Sequence, residues 1–271
     1  CPKPVAPMAR QPKRWIVHPK APDSHFARLS HVAPMLVQLL WNRGIDNPAD
    51  VEAFLAGETR LDDPFRIKGV NEAVTRIRRA IRQGERMVVY GDFDADGVTA
   101  TALMVQALGA LGGFVRPYIP HRVDEGYGLN NNALAELARE GQQLVITVDC
   151  GIRSVDEVAF ANRLGLDVIV TDHHSIGPEL PPALAAINPK RPDCPYPFKG
   201  LAGVGLAFKL AQALLRSHAQ VPIRNGLTVD LQEGDLLDLV ALGTVADLAP
   251  LLGENRTLVQ RGLARLNRSQ R

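Results

Sequence analysis

From Asn71 onward the apolar positions alternate between two patterns, the 3.6-residue period of an amphipathic helix and short unbroken apolar runs. NEAVTRIRRAIRQG has helical period and predicts a helix closed by Gly84; MVVY then predicts a strand and VTATALMVQALGALGG a helix. FVRPYI, LVITV and DVIVT predict further strands, separated by the helical patterns NNNALAELAREG and SVDEVAFANRLG. AAIN reads as one more strand, GLAFKLAQALLRS as a helix and GDLLDLVALG as a last helix. Strand and helix in strict alternation predict an α/β fold, a mainly parallel β-sheet sandwiched by helices. Residues 1–70 differ: a Pro-rich start, CPKPVAPMARQPKRW, precedes helical patterns in HVAPMLVQLLWNRGI and PADVEAFLAG. They are expected to form a Pro-rich start and a small helical N-terminal extension, with 71–271 as the main domain. No internal repeat is visible.

Composition narrows the class. At 271 residues and 46% hydrophobic, the chain can bury a sizeable core. It has no apolar run of about 18 residues and no signal-peptide pattern, so no membrane association is expected and the cytoplasm is the expected compartment. Cys1, Cys150 and Cys194 form no metal-type pair and are too few for a disulfide framework, which fits a reducing compartment. With 31 basic and 29 acidic residues the net charge of +2 says little about polyanion binding. Basic residues do cluster locally, at Arg10, Lys13 and Arg14 and at Arg76, Arg78, Arg79 and Arg82. The second cluster reads either as a solvated helix face or as a phosphate-tracking surface.

The acidic residues change the picture further. Ligands of an open parallel sheet gather beyond the carboxyl ends of its strands. GDFDADG follows MVVY, DCG follows LVITV, and DHH follows DVIVT, which brings Asp92, Asp94, Asp96, Asp149, Asp172, His173 and His174 to one sheet edge. In extended chain, residues two apart share a face, so Asp92, Asp94 and Asp96 are expected to converge. Carboxylates that close resist ionisation unless a cation compensates, and an oxygen-rich cluster with one or two imidazoles suits Mg²⁺ or Mn²⁺ ahead of Zn²⁺. Plainer readings exist. The Asp-rich stretch resembles a calcium loop but lacks its closing Glu; Asp149 alone would pass for a helix cap, the His pair for surface residues, and Asp247 in GTVADLAPL for a turn residue. The joint placement at three strand ends favours metal.

GDFDADG, VDCG, DHH and GTVADLAPL, in this order, resemble the four signature motifs of the DHH phosphoesterase superfamily. IPHRVDEGYGLN, LAGVGLAFKLAQAL and GENRTLVQRGL, with the preface from about Leu39, resemble its RecJ branch, bacterial 5′ to 3′ exonucleases specific for single-stranded DNA. The resemblance implies two divalent ions, Mn²⁺ or Mg²⁺, with Asp94 and Asp149 on one and Asp96, Asp149, His173 and Asp247 on the other. His174 would face the scissile phosphate. Other superfamily members carry a histidine where this chain has Tyr90, a poor metal ligand; Asp92 is expected to compensate, which makes Asp92 and His174 the candidate catalytic residues. Arg122 and Tyr127 are candidate contacts to the nucleotide beside the cut, Arg on phosphate and Tyr on a base; the plainer readings are an ion pair of Arg122 with Asp124 or Glu125 and loop packing for Tyr127. The Gly-rich GLAGVGLAFK could offer N–H groups to a phosphate or serve as helix entry.

The reaction so implied is two-metal hydrolysis of single-stranded DNA in repair and recombination, with single-strand-binding protein and a helicase as expected partners. Enzymes of this branch carry a second, substrate-binding domain and an oligonucleotide-binding fold, which are not recognisable in these 271 residues; the chain is expected to be the metal domain of something longer. Two other functions remain open: a phosphodiesterase of the same superfamily for short oligonucleotides or cyclic dinucleotides, and a non-catalytic replication scaffold.

Overall fold

The structure is a computed structural model that describes residues 14–57, 61–224 and 226–268. The Pro-rich opening through Lys13, with Cys1 and Arg10, and the last three residues lie outside the described residues. The chain divides into two compact units, residues 1–58 and 59–271.

The first unit contains α1 (Asp23–Arg28), α2 (Pro34–Trp41) and α3 (Pro48–Ala56). The helical pattern beginning at His31 starts only at Pro34, because proline suits the first helical turn and not the interior. Leu29, Val32, Val37, Leu40 and Val51 form the small core of this unit.

The second unit is built on β1 (Arg86–Gly91), β2 (Phe114–Tyr118), β3 (Leu144–Val148), β4 (Asp167–Thr171) and β5 (Ala185–Ile187). All four pairings are parallel and the order is β2-β1-β3-β4-β5. Between and after them run α4 (Val70–Gln83), α5 (Ala95–Ala110), α6 (Asn131–Arg139), α7 (Val155–Arg163), α8 (Gly203–Gln220), α9 (Leu237–Ala246) and α10 (Gly253–Leu266). Alternate strand residues feed two cores. Met87, Val89 and Ile146 pack with α4, α5 and α8, whereas Val88, Tyr90 and Val145 pack with α6 and α7. Burial on both faces explains why the strands read as unbroken apolar runs. The chain leaves β1 toward β2 on one side and β3 toward β4 on the other, so the sheet order reverses between β1 and β3. A crevice opens there, outside the strand ends.

Candidate metal centre

The crevice between β1 and β3 collects the acidic motifs, and local geometry decides how. The three aspartates after β1 do not follow an extended chain. Asp92 follows the strand, Asp94 is the N-cap of α5 with its carboxylate accepting from Gly97 N at 2.9 Å, and Asp96 lies in the first helical turn. The early start of α5 therefore splits them between two donor groups instead of one, because a helical turn rotates Asp96 away from the face that Asp92 and Asp94 share.

Asp149 sits just beyond β3 with φ at 62°, a left-handed backbone uncommon outside glycine. Its N–H donates to Thr171 O at 3.0 Å, and Thr147 Oγ1 donates to Cys150 O at 2.7 Å, which fixes the turn. Asp149 caps no helix; α7 starts after Ser154. The N-terminus of α8 comes up against it so closely that a Cβ on Gly203 would stand 2.5 Å from Asp149 Oδ1. Only glycine fits there.

Beyond β4, Asp172 is buried and its carboxylate accepts from Ile152 N at 2.9 Å and from His174 N at 3.0 Å, while His174 Nδ1 lies 2.7 Å away. His173 Nε2 points instead to Asp149 Oδ1 at 3.1 Å and Asp96 Oδ2 at 3.9 Å. Asp247 is the C-cap of α9, whose last turns run past the Gly243 at which the sequence pattern ends. Gly243 is kept inside that helix by close approach to Thr99, Val204 and Asp96.

Three sets of side chains have ligand atoms within 4.8 Å of one another: Asp92, Asp94 and Asp149; Asp96, His173 and Asp247; and Asp149, His173 and His174. Asp149 belongs to two of them. Asp149 Oδ1 and His173 Nε2 are buried and close but not aligned as a hydrogen bond, and neither has a hydrogen-bond partner. Buried polar atoms are almost always satisfied, so a carboxylate oxygen and an imidazole nitrogen facing each other without hydrogen-bond partners fit the ligands of a cation. The donor set, oxygen-rich with one or two imidazoles, suits Mg²⁺ or Mn²⁺.

Titration behaviour agrees with like charges in a confined space. Burial, reinforced by Asp96 and Asp94, pushes Asp149 up to about 7 against the opposing His173. Burial also pushes Asp96 up to about 6, although Val204 and Gly203 N–H groups oppose it. Asp92 is raised by burial and by Asp94. Burial works against a charge on His173, but Asp149, Asp96 and Asp247 outweigh it and its pKa is raised. The hydrogen bond to Asp172 lifts His174 to about 9. Asp172, although buried, is held low by donation from His174 and Ile152 N–H.

Arg122 and Tyr127 both lie at the rim, on the loop between β2 and α6. Arg122 stacks over the Phe93 ring at 4.9 Å; Asp124 pairs with His121 and Glu125 bonds elsewhere, so the ion pair considered for Arg122 is not formed. Tyr127 is exposed, with its hydroxyl 3.5 Å from Asp149 O and 3.4 Å from His174 Nδ1. Beside it opens a cleft of about 610 Å³ bounded by Arg153, Ser154, Glu157, Asp172 and His174.

Two readings left open by the sequence are narrowed by the structure. The Gly-rich entry to α8 gives the N–H groups of Gly203 and Val204 to Asp96, each at 2.7 Å, because a buried carboxylate lies in line with the helix end. In the basic cluster of α4, Arg76 is buried against Glu85 and Asp167 and Arg78 is buried against Val221 O, since this helix packs onto the sheet and α8. Neither residue belongs to a solvated face or a phosphate-tracking one, whereas Arg79 and Arg82 of the same cluster are exposed on the helix surface. Asp172 was not singled out for a role from the sequence. Its apolar flank and position before two histidines are the only signal, and its contacts come from folding.

The chain belongs to the DHH family: the model of the DHH family N-terminal domain matches residues 86–244. Among curated relatives, the single-stranded-DNA-specific exonuclease RecJ of Bacillus subtilis (strain 168) is 48% identical over 242 residues, 89% of this chain and 29% of that protein. RecJ of Escherichia coli (strain K12) is 44% identical over 241 residues, 88% of this chain and 41% of that protein. The chain thus spans less than half the length of these relatives. Among solved structures, RecJ of Thermus thermophilus in complex with Mn²⁺ superposes with a TM-score of 0.76 at 36% identity, covering 95% of this chain and 35% of that one. An exonuclease RecJ bound to manganese gives 0.64 at 44% identity, covering 75% and 49%.

Proposed function

We propose that this chain is the metal-dependent catalytic core of a single-stranded-DNA-specific exonuclease of repair and recombination, removing nucleotides in the 5′ to 3′ direction. The observation that carries the reading is Asp149, whose buried and unpartnered Oδ1 stands in a carboxylate that two donor groups share. Asp94 and Asp149 would hold one divalent cation, and Asp96, Asp149, His173 and Asp247 the other, with Asp92 completing the first group. When bound, two such ions activate water and neutralise charge on attacking and leaving oxygens. The chain's own residues supply the rest. Asp172 fixes the His174 ring by its Nδ1, so the opposite ring edge can face the scissile phosphate. Phe93 holds Arg122 at the rim for a phosphate, and Tyr127 offers an exposed ring for a base. Residues 71–271 would form the DHH phosphoesterase domain; single-strand-binding protein and a helicase are the proposed partners, and the cytoplasm the proposed compartment. Among the described residues no helix is long and apolar enough to cross a membrane.

The test is hydrolysis with Mn²⁺ and with Mg²⁺ of 5′-labelled and 3′-labelled single strands, a duplex and a dinucleotide, with Asp149→Asn in parallel. The expected outcome is mononucleotide release from the 5′ end of single strands, absent in the variant. Cleavage of the dinucleotide alone would reassign the substrate, and an active Asp149→Asn protein would overturn the metal assignment.

A further inference from the structure

The loop that carries Arg122 and Tyr127 is tied down from beneath, and the tie converges on one carboxylate. Glu125 Oε1 accepts from Tyr118 Oη at 2.5 Å and from Asn130 Nδ2 at 3.2 Å, and its Oε2 accepts from the His121 N–H at 2.7 Å. Glu125 N–H returns a bond to His121 O at 2.9 Å. Asn130 gives its second hydrogen to Tyr90 Oη at 3.2 Å, and Tyr90 Oη donates to Gly128 O at 3.0 Å. Asn130 Oδ1 also caps α6 through Ala133 N at 2.7 Å. The end of β2, the loop, the start of α6 and the buried Tyr90 of β1 are therefore joined in one network, with Tyr90 stacked on Tyr118 at 4.9 Å between centroids. Gly126 and Gly128, both at positive φ with open space around them, let the chain turn back on itself.

This arrangement exceeds what closing a surface loop requires. Glu125 lies three residues after Arg122 and two before Tyr127, the two side chains that reach the rim, yet its own bonds go to Tyr118, His121 and Asn130. Tyr90, where the sequence offers no ligand to a metal, packs on the face of the sheet covered by α6 and α7 and reaches the loop through its hydroxyl. We propose that Glu125, with Tyr90 and Asn130 beneath it, is a positioning device that sets how loop 119–130 stands over the metal centre and thereby how tightly a DNA single strand is held. The proposal rests on the reading of this site as a single-strand exonuclease. No side chain of the network is itself a metal-ligand candidate, so its effect falls first on substrate affinity, through Arg122 and Tyr127.

The test uses the 271-residue chain with Mn²⁺, comparing wild type, Glu125→Ala, Glu125→Gln, Arg122→Ala and Tyr127→Ala. Three quantities are read: amide hydrogen exchange of residues 119–130, KM and kcat on a 5′-phosphorylated single strand with Kd of the same strand by fluorescence anisotropy, and the midpoint of Mn²⁺ titration. Glu125→Ala is expected to speed exchange in this loop alone and to raise KM and Kd on the order of ten-fold, the size of one charge-assisted hydrogen bond. The Mn²⁺ midpoint stays unchanged, any fall in kcat is smaller than the rise in KM, and Glu125→Gln, which keeps one acceptor, falls between. Unchanged loop exchange in Glu125→Ala overturns the proposal. So does faster exchange with unaltered KM and Kd while Arg122→Ala weakens binding, or a fall in kcat and metal affinity together. If Arg122→Ala and Tyr127→Ala both leave KM and Kd as they were, the loop does not touch DNA, and the proposal fails because the functional reading beneath it has failed.

Discussion

Asp149 combines a left-handed backbone, near-complete burial and a carboxylate oxygen without a hydrogen-bond donor. Strained, desolvated acids persist where the surroundings hold them and concentrate at functional sites. Because two of the three donor groups include it, Asp149→Asn is expected to abolish metal-dependent hydrolysis; Asp92→Asn, which alters one group only, is expected to leave measurable turnover in the same assay. The titrations carry a second prediction, for the chelator-treated chain. Asp96 and Asp149 keep their protons when folded up to about 6 and about 7, whereas the ordinary carboxyl value is 3.8. The folded state then binds more protons than the unfolded one over that interval, so these groups make stability fall as pH rises through it. His174, raised from 6.5 to about 9, loses its contribution at higher pH and so extends the same trend. Thermal melts between about pH 5 and about pH 8 should show this decline, and Asp149→Asn should flatten it. A metal-free melt that rises across this range would refute the account.

At the scale of elements, the N-terminus of α8 does two things: its first N–H groups grip Asp96, and Gly203 lies flush against Asp149. Adding one methyl, as Gly203→Ala, forces either the helix or Asp149 to move. Metal-dependent hydrolysis should drop on the order of a hundred-fold, since small displacements at a reacting centre are that costly. A kcat/KM equal to wild type would show that the approach is not needed. These two contacts also mark the limit of sequence reading. The strands β1 to β4 and the helices α4 to α8 are legible because a sheet buried on both faces leaves apolar runs between periodic segments. Asp149, Asp172 and the histidines are legible at strand ends for the same reason. The approach of Gly203 to residues 96 and 149 joins distant stretches, and no local pattern encodes it. Helix α10 was likewise illegible as a helix: its buried face includes Glu254, Asn255 and Thr257, so the apolar period is interrupted by polar residues that find partners only in the folded chain, as Glu254 does in Lys209 and Asn255 Nδ2 in Gly200 O.

For the molecule as a whole, that polar face anchors a buried ion pair. Lys209 Nζ lies 2.8 Å from Glu254 Oε2 with both side chains nearly inaccessible, and Tyr196 Oη and Asp62 N also donate to the Glu254 carboxylate. The pair binds α8, α10 and the segment before α4 into one body. Removing one partner strands the other, so Glu254→Ala should destabilise the chain by about 3–5 kcal/mol in urea unfolding. A loss below about 1 kcal/mol would mean that water or a neighbour takes over the charge. The Asp96 contact reaches just as far. A carboxylate that helps start the longest described helix, and stands in a donor group with His173 and Asp247, would on binding a cation make cation supply a variable of folding. In a metal-poor cell this chain would then open more often and be degraded sooner, and its abundance would track the availability of divalent ions before any change in its catalytic rate was felt.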